Sequence, residues 1–326
     1  MISKTFVKSG VVKKEKKITL FSFILSILLI FVITAMVIRP EKYIAVSLNS
    51  LLVWSTVVLP AIFPFLLYSK FLTKLGIVDF FARAISPITK FLFHTEGISA
   101  YIYLVSIISG YPVGAKLTAD LYEDGRMTRG NALRTITYSA NSGPMFIVGT
   151  VGIGMFVYPP AGYVILISHL IGAIINGIVY RNYKRNDVTR KETKDKDQTD
   201  DDYLYSTAIS SCNSMLVVGT YIVVFFILIE FLSSFFVSNN VYSAIFNGLL
   251  EITHGCQDLS LLNISMSVKI ILATFLISFG GLSTTMQSLA FLKKMKFSTS
   301  FFILTKFTHA VFSTIICVLI LLVFKV

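Results

Sequence analysis

The sequence predicts an all-α polytopic membrane protein. Of its 326 residues, 55% are hydrophobic and only 14% are charged, whereas an ordinary soluble domain carries about 25% charged residues. A helix needs about 17–25 apolar residues to cross the hydrocarbon layer. Several runs are long enough: 18–38, 43–69, 132–158, 160–180, 206–237 and 299–324. We expect one membrane domain with six full spans, or eight if each long arm of a broken segment is counted.

The first element is a lysine-rich tail, residues 1–17. Because basic residues beside a span stay inside the cell, this tail predicts a multi-pass protein of the cell membrane with a cytoplasmic N-terminus. The run 18–38 is too long for the core of a cleaved signal peptide and lacks a small-residue cleavage site, so we expect it to remain as the first span. The net charge of +12 reflects such flanks, and we expect the lipid bilayer and no nucleic acid as a partner.

A densely charged segment, 181–202, divides the chain into two hydrophobic halves, 18–180 and 203–326. It has almost no apolar residues and cannot form a core, which predicts a cytoplasmic linker. Each half contains a long span, a glycine-broken apolar segment and another long span, in an order that predicts an inverted repeat. Aligning the glycine breaks places Gly110 on Gly281. Chance similarity between apolar sequences is the alternative.

The broken segment of the first half has the sequence "SGYPVGAK" at 109–116. Gly110 and Gly114 permit a turn, and Pro112 prevents the helix from continuing. Both flanks are basic, so the segment enters and leaves on one side. Its first arm would rise only about 16 Å, which is half of a hydrocarbon core of about 30 Å. Broken backbone at this depth is tolerated where it lines a cavity, so we predict a re-entrant hairpin.

Lys116 lies just beyond this turn. An intramembrane lysine is costly, so we expect it to face the cavity, where it would hold an anionic group or replace a coupling cation. Two other interpretations remain open. The side chain could extend to the cytoplasmic surface, or it could pair with Asp120 one helical turn later.

Three further stretches have polar or helix-breaking residues within apolar sequence: "SANSGP" at 139–144, "NGLLEITHGCQD" at 247–258 and "SFGGLSTTMQ" at 278–287. We expect the last to form a second hairpin. Broken helices at the bilayer midplane are typical of secondary-transporter sites. We therefore predict a substrate-binding site formed by these breaks, whose residues are Ser109, Gly110, Tyr111, Pro112, Gly114, Lys116, Asn141, Ser142, Gly143, Pro144, Glu251, Gly280, Gly281, Ser283 and Gln287.

Enzymatic and metal functions find no support in the sequence. It contains no GxSxG, HExxH or Walker motif, and its three cysteines form no CxxC pair. Glu251 with His254 is too small a ligand set for a metal site, and neither His94 nor His169 has an identifiable partner. We expect no catalysis, no cofactor and no metal.

The motifs at 109–116, 141–144, 251–255 and 278–287 resemble those of the YlbJ family of sporulation integral membrane proteins. That family lies within the group that carries the nucleoside-recognition Gate domain. The resemblance covers roughly residues 45–325 and implies a membrane protein of endospore-forming bacteria that acts in making the spore cortex. One departure concerns Thr285, which stands where the family's second break usually carries a histidine before the glutamine.

Two functions fit this sequence. The first is a transporter-like gate that passes or binds a small polar solute during sporulation. The second is a non-transporting scaffold for the machinery that assembles the spore envelope. As partners we expect the unknown solute and either further copies of this chain or other sporulation membrane proteins. A transport role requires a hydrated cavity at the breaks, whereas a scaffold can have them tightly packed.

Overall fold

The structure is a computed structural model, and it describes residues 20–191, 200–233 and 240–324. Within these residues all regular structure is helical, and the basic tail lies outside them. The α-helices are α1 (Leu20–Ile38), α2 (Pro40–Val53), α3 (Leu59–Lys74), α4 (Ile77–Phe93), α5 (Ile98–Ser109), α6 (Val113–Glu123), α7 (Arg129–Ser139), α8 (Pro159–Val179), α9 (Asp200–Ser233), α10 (Val241–Leu250), α11 (Ile252–Leu261), α12 (Met266–Phe279), α13 (Gly281–Leu292) and α14 (Thr299–Phe324). Wider π-helical turns occupy Trp54–Val58 and Met145–Met155.

The helices confirm the predicted class of an all-α polytopic membrane protein. Four of those in the described ranges are long and apolar enough to cross a membrane, or up to six if each of two bent pairs forms one span. The bent pairs are Ser22–Ile38 with Pro40–Thr56, at 107°, and Arg83–Phe93 with Ile98–Ser109, at 89°. Such sharp bends at short breaks fit re-entrant hairpins.

The order of elements repeats between the two halves. A long helical stretch (α2 to α3, then α9) is followed by a pair of short helices that pack against each other (α5 with α6, then α10 with α11). A broken helix comes next (α7 with Met145–Met155, then α12 with α13), and a long helix ends each half (α8, then α14). These two long helices pack along one another.

This order corrects the alignment expected from sequence, which placed Gly110 on Gly281. Gly110 lies in the α5–α6 turn, and its counterpart is the α10–α11 turn at Glu251. Gly280 and Gly281 instead interrupt a single candidate span, Met266–Met295. The physical reason is local. Gly280, at φ +87°, both ends α12 and precedes α13 directly, whereas the extended backbone of Glu251 separates two helices that pack side by side.

The beginning of the predicted linker is packed against α7. Backbone N–H groups of Arg129 and Gly130 donate to the carbonyls of Thr189 and Asp187 at 2.7 and 2.9 Å, and the Arg129 guanidinium pairs with the Asp187 carboxylate at 2.7 Å. Burial raises the pKa of Asp187, but hydrogen bonds from Thr189 and Arg129 outweigh it and hold that pKa below its ordinary value. Residues 181–191 therefore cover the start of α7, and 192–199 lie outside the described residues.

The break after α5 lies against the break after α7 at two glycines, Gly110 and Gly143. Gly110 adopts φ +78° and ψ −169°, a conformation that is almost restricted to glycine. A Cβ atom built on Gly110 would lie 2.6 Å from the backbone nitrogen of Gly143. The chain can therefore bring these two breaks together only with a glycine at position 110.

We predict that Gly110→Ala lowers the free energy of unfolding by about 1–3 kcal/mol, the cost of a non-glycine residue in such a backbone conformation. The measurement is thermal unfolding of the purified full chain in detergent. Gly149→Ala is the matched control, because a Cβ there would meet no atom within 4 Å. Equal melting temperatures for the two variants would contradict the close backbone approach.

Candidate functional site

The four breaks of the two halves meet in one place. The α5–α6 break contacts the α7 break at Gly110 and Gly143, and a Cβ built on Gly280 would lie 3.2 Å from the Tyr111 hydroxyl. A Cβ on Gly281 would lie 3.3 Å from the carbonyl of Leu250, at the α10–α11 turn. We call this region the junction and define it as residues 109–112, 140–144, 250–251 and 278–281.

Lys306 of α14 brings its side-chain nitrogen, Nζ, into the junction. The residue is only 3% exposed. Its Nζ donates to the hydroxyl of Tyr111 and to the carbonyl of Ala140 at 2.7 Å, and it lies 3.5 Å from Nδ1 of His309. Among the described residues it forms no ion pair with a carboxylate. A lysine from the last helix thus joins the breaks after α5 and α7.

Two buried histidines extend this network. Nε2 of His309 lies 2.9 Å from the carbonyl of His169, and a carbonyl can only accept, so this nitrogen carries the proton. Nδ1 of His309 then faces Lys306 as an acceptor. In His169, Nε2 accepts from the backbone N–H of Ser142 at 3.0 Å, which leaves Nδ1–H to donate to the Ser278 hydroxyl at 2.9 Å. Both rings are therefore neutral in this arrangement.

The same network satisfies backbone groups that the break after α7 leaves free. The last carbonyls of a helix have no partner within it. Here the carbonyl of Thr137 accepts from Asn176 at 2.6 Å, that of Tyr138 accepts from Asn141 at 2.9 Å, and that of Ala140 accepts from Lys306. Two side chains from α8 and α14, with Asn141 of the break itself, replace the missing helical turn.

Three polar atoms around the junction have no hydrogen-bond partner within the protein: the hydroxyls of Ser109 and Ser139 and the side-chain oxygen of Asn141. All three residues are buried. A buried polar group without a partner costs about 1–3 kcal/mol, and native proteins contain few of them. The oxygen of Asn141 can only accept, so its partner must be a donor.

Lys116 makes a different set of contacts from those of Lys306. Its ammonium pairs with Asp120, the partner considered from the sequence, and Lys70 approaches the same carboxylate at 3.4 Å. Lys70 also donates to the hydroxyl of Ser210 on α9 at 2.6 Å. Lys116 is buried, and its place in a substrate site stays a prediction.

The remaining predicted site residues fall into two groups. Glu251 is buried at the α10–α11 turn, where its carboxylate accepts from the backbone N–H of His254 and the hydroxyl of Thr253, both at 3.0 Å. On α13, Gln287 donates to the hydroxyl of Ser283 at 3.2 Å, and this helix packs against α6 and α9. Glu251 therefore lies in the junction, whereas Ser283 and Gln287 bond to each other on α13, beyond the end of the junction at Gly281.

Sequence reasoning missed Lys306 and His309 and found no partner for His169. One signal was available: Lys306 lies within the apolar run 299–324, and an ionisable residue inside a span marks a functional site by default. The histidine contacts could not be read from spacing, because His169 and His309 come from opposite halves and their ring centroids meet at 4.7 Å.

The groups around the junction can form hydrogen bonds with a polar molecule. Hydroxyls, an amide, backbone groups, neutral imidazoles and one ammonium surround the junction. In the part of the chain that the structure describes, no three histidine, cysteine or acidic residues lie close enough to hold a metal ion. Broken helices that meet around such groups define a transporter-like class of membrane protein.

The comparisons with known proteins agree with this class. Residues 55–159 match the Gate family, described as nucleoside recognition, so the matched region contains the breaks after α5 and α7. The chain is 24% identical to the sporulation integral membrane protein YlbJ of Bacillus subtilis (strain 168), over 89% of this chain and 80% of the relative. No solved structure matches significantly. The resemblance inferred from the motifs is confirmed.

We predict that Tyr111→Phe lowers the free energy of unfolding by about 1–3 kcal/mol, because it removes an acceptor from a buried ammonium. Thermal unfolding in detergent measures the change. Tyr163→Phe provides the control, since Tyr163 is 57% exposed on α8. If Tyr111→Phe melted no lower than the control, the hydroxyl would not hold Lys306 in place.

Proposed function

We propose that this protein is a Gate-type membrane protein that binds, and passes across the cell membrane, a small polar solute during sporulation. The junction is its binding site, and it acts by binding and conformational change rather than by catalysis. The N-terminus is cytoplasmic. The two halves are inverted with respect to the membrane, so that the hairpins α5–α6 and α10–α11 approach the junction from opposite sides.

The observation that carries the proposal is the set of unpartnered atoms of Ser109, Ser139 and Asn141. A scaffold with tightly packed breaks has no reason to gather buried polar atoms without partners around those breaks. A binding site does, because a solute supplies the partners. The oxygen of Asn141 requires an N–H or O–H donor, and the serine hydroxyls accept or donate. The solute therefore carries hydroxyl, amide or amino groups.

The role in sporulation is supported by the name of the Bacillus relative, a sporulation integral membrane protein, and by the length of the aligned region. We place the step in formation of the spore cortex, as the resemblance of the motifs implies. A solute gate and cortex formation are compatible, since building a wall around the spore requires polar material to cross a membrane.

The test uses cells of the bacterium that encodes the chain, with one altered copy of the gene. The double variant Ser109→Ala, Ser139→Ala removes two hydroxyls that have no partner in the protein. We predict unchanged or slightly higher thermal stability, because no internal hydrogen bond is lost. We also predict at least about a tenfold loss of heat-resistant spores. A loss of about 1.4 kcal/mol in the binding free energy of the solute weakens binding tenfold, and we take the number of spores to be proportional to the amount of solute bound.

Ser313→Ala is the matched control. Its hydroxyl is also buried without a partner, but it lies on α14 against Gly172 of α8, about two helical turns beyond Lys306. This variant should form spores normally. Normal spore yield from the double variant would favour the scaffold instead, and normal spore yield after deletion of the gene would reject both roles.

A further inference from the structure

The Lys306 side-chain nitrogen has the kind of neighbours that a bound cation has, and no carboxylate of the described residues is among them. Its neighbours are a hydroxyl oxygen (Tyr111), a backbone carbonyl oxygen (Ala140) and an imidazole nitrogen (His309). All three are neutral acceptors. A lysine buried in a membrane ordinarily pairs with an acid, but among the described residues none pairs with Lys306.

The position of the ammonium on the fold supports the same conclusion. Ala140 directly follows the C-terminal end of α7, where the helix dipole favours positive charge. The carbonyl of Ala140 is freed by the break. In transporters with broken helices, unwound carbonyls and the C-terminal ends of half-helices are what coordinate the coupling cation.

The histidine beside Lys306 is held in the form that suits a cation. Because Nε2–H of His309 donates to the carbonyl of His169, its Nδ1 lone pair faces the ammonium. The groups that titrate around Lys306 are Tyr111 from the α5–α6 break, His309 from α14 itself and, behind it, His169 from α8. None of them is negatively charged at neutral pH.

We propose that Lys306 occupies a monovalent-cation site of the junction and that its ammonium does the work of a bound sodium ion. The site joins α14 to the breaks after α5 and α7, so its occupation fixes the binding site proposed above. This inference rests on the proposed function only in the role that it gives to the site, which is to hold the solute-binding junction in place. The protein consequently needs no dissolved cation to hold the junction together.

Removal of the tethered ammonium should open the site to a free cation. We compare thermal unfolding of the purified full chain in detergent, with sodium, ammonium or methylammonium chloride against choline chloride at constant ionic strength. Lys306→Ala should melt several degrees below wild type in choline. Methylammonium, or one of the two smaller cations, should restore roughly half or more of the lost melting temperature. The restored part should rise with the logarithm of the cation concentration.

Three proteins serve as controls and should show no such rise. Wild type already carries its ammonium, and Lys306→Met fills the space without charge. Lys269→Ala removes a lysine of α12 whose ammonium also donates to a backbone carbonyl, that of Ser260 at 2.7 Å. A rise in that variant as large as in Lys306→Ala would reveal a general salt effect and overturn the proposal.

Two other results would also overturn it. In the first, no cation raises the melting temperature of Lys306→Ala by more than it raises that of Lys306→Met. The other, which does not depend on Lys306→Ala folding, is a Lys306→Met protein that melts with wild type, since a cation site cannot be filled by a thioether without loss. None of these measurements depends on spore formation. A result that overturns the cation site therefore leaves the proposed solute site unaffected, and the serine variants test that site separately.

Discussion

The structure depends on one constraint: backbone groups freed by a broken helix inside a membrane must find partners other than water. The break after α7 frees the carbonyls of Thr137, Tyr138 and Ala140 and the N–H of Ser142. Each of these groups forms a hydrogen bond with a side chain, and three of the four side chains come from α8 or α14. The interruption that creates the junction is possible only because those helices supply the replacement.

This solution explains why α8 and α14 pack so closely. A Cβ built on Gly172 of α8 would lie 2.8 Å from the Cα of Ser313, so the two helices approach through a glycine. Their contact brings Asn176 to α7 and to the carbonyl of Thr305 at 3.1 Å. It also sets His169 beside His309. The α5–α6 hairpin contacts this pair of helices through Tyr111. Movement of that hairpin away from the pair would break the Tyr111–Lys306 contact.

Much of this arrangement could be predicted from the sequence, and the physical reasons are specific. Glycine and proline mark where helices stop, so the breaks at Gly110, Asn141 and Gly280 were located within a few residues. Periodicity does not reveal whether a break turns the chain back or merely interrupts a span. The sequence therefore predicts the second hairpin at Gly280, whereas the structure has a paired set of short helices at Glu251 and one candidate span through Gly280.

The centre of the site was beyond sequence reasoning for a different reason. Lys306 approaches residues that are 195 and 166 positions away, and no local pattern records such contacts. Lys116 looked like the intramembrane cation because it follows a visible break, and the structure gives it Asp120 as a partner. The residue that faces the junction carries no motif at all. Its only signal is a charge in the middle of an apolar span.

A double-mutant cycle between Tyr111→Phe and Lys306→Met tests most directly whether the contact between Tyr111 and Lys306, which joins the two halves, holds the junction together. The four free energies of unfolding, measured by denaturation of the full chain in detergent, give one interaction energy. We predict a coupling of at least about 1 kcal/mol, in the range found for residues in direct contact. Additive effects, with a coupling near zero, would contradict the account, because the hydroxyl of Tyr111 would then not hold the side chain of Lys306.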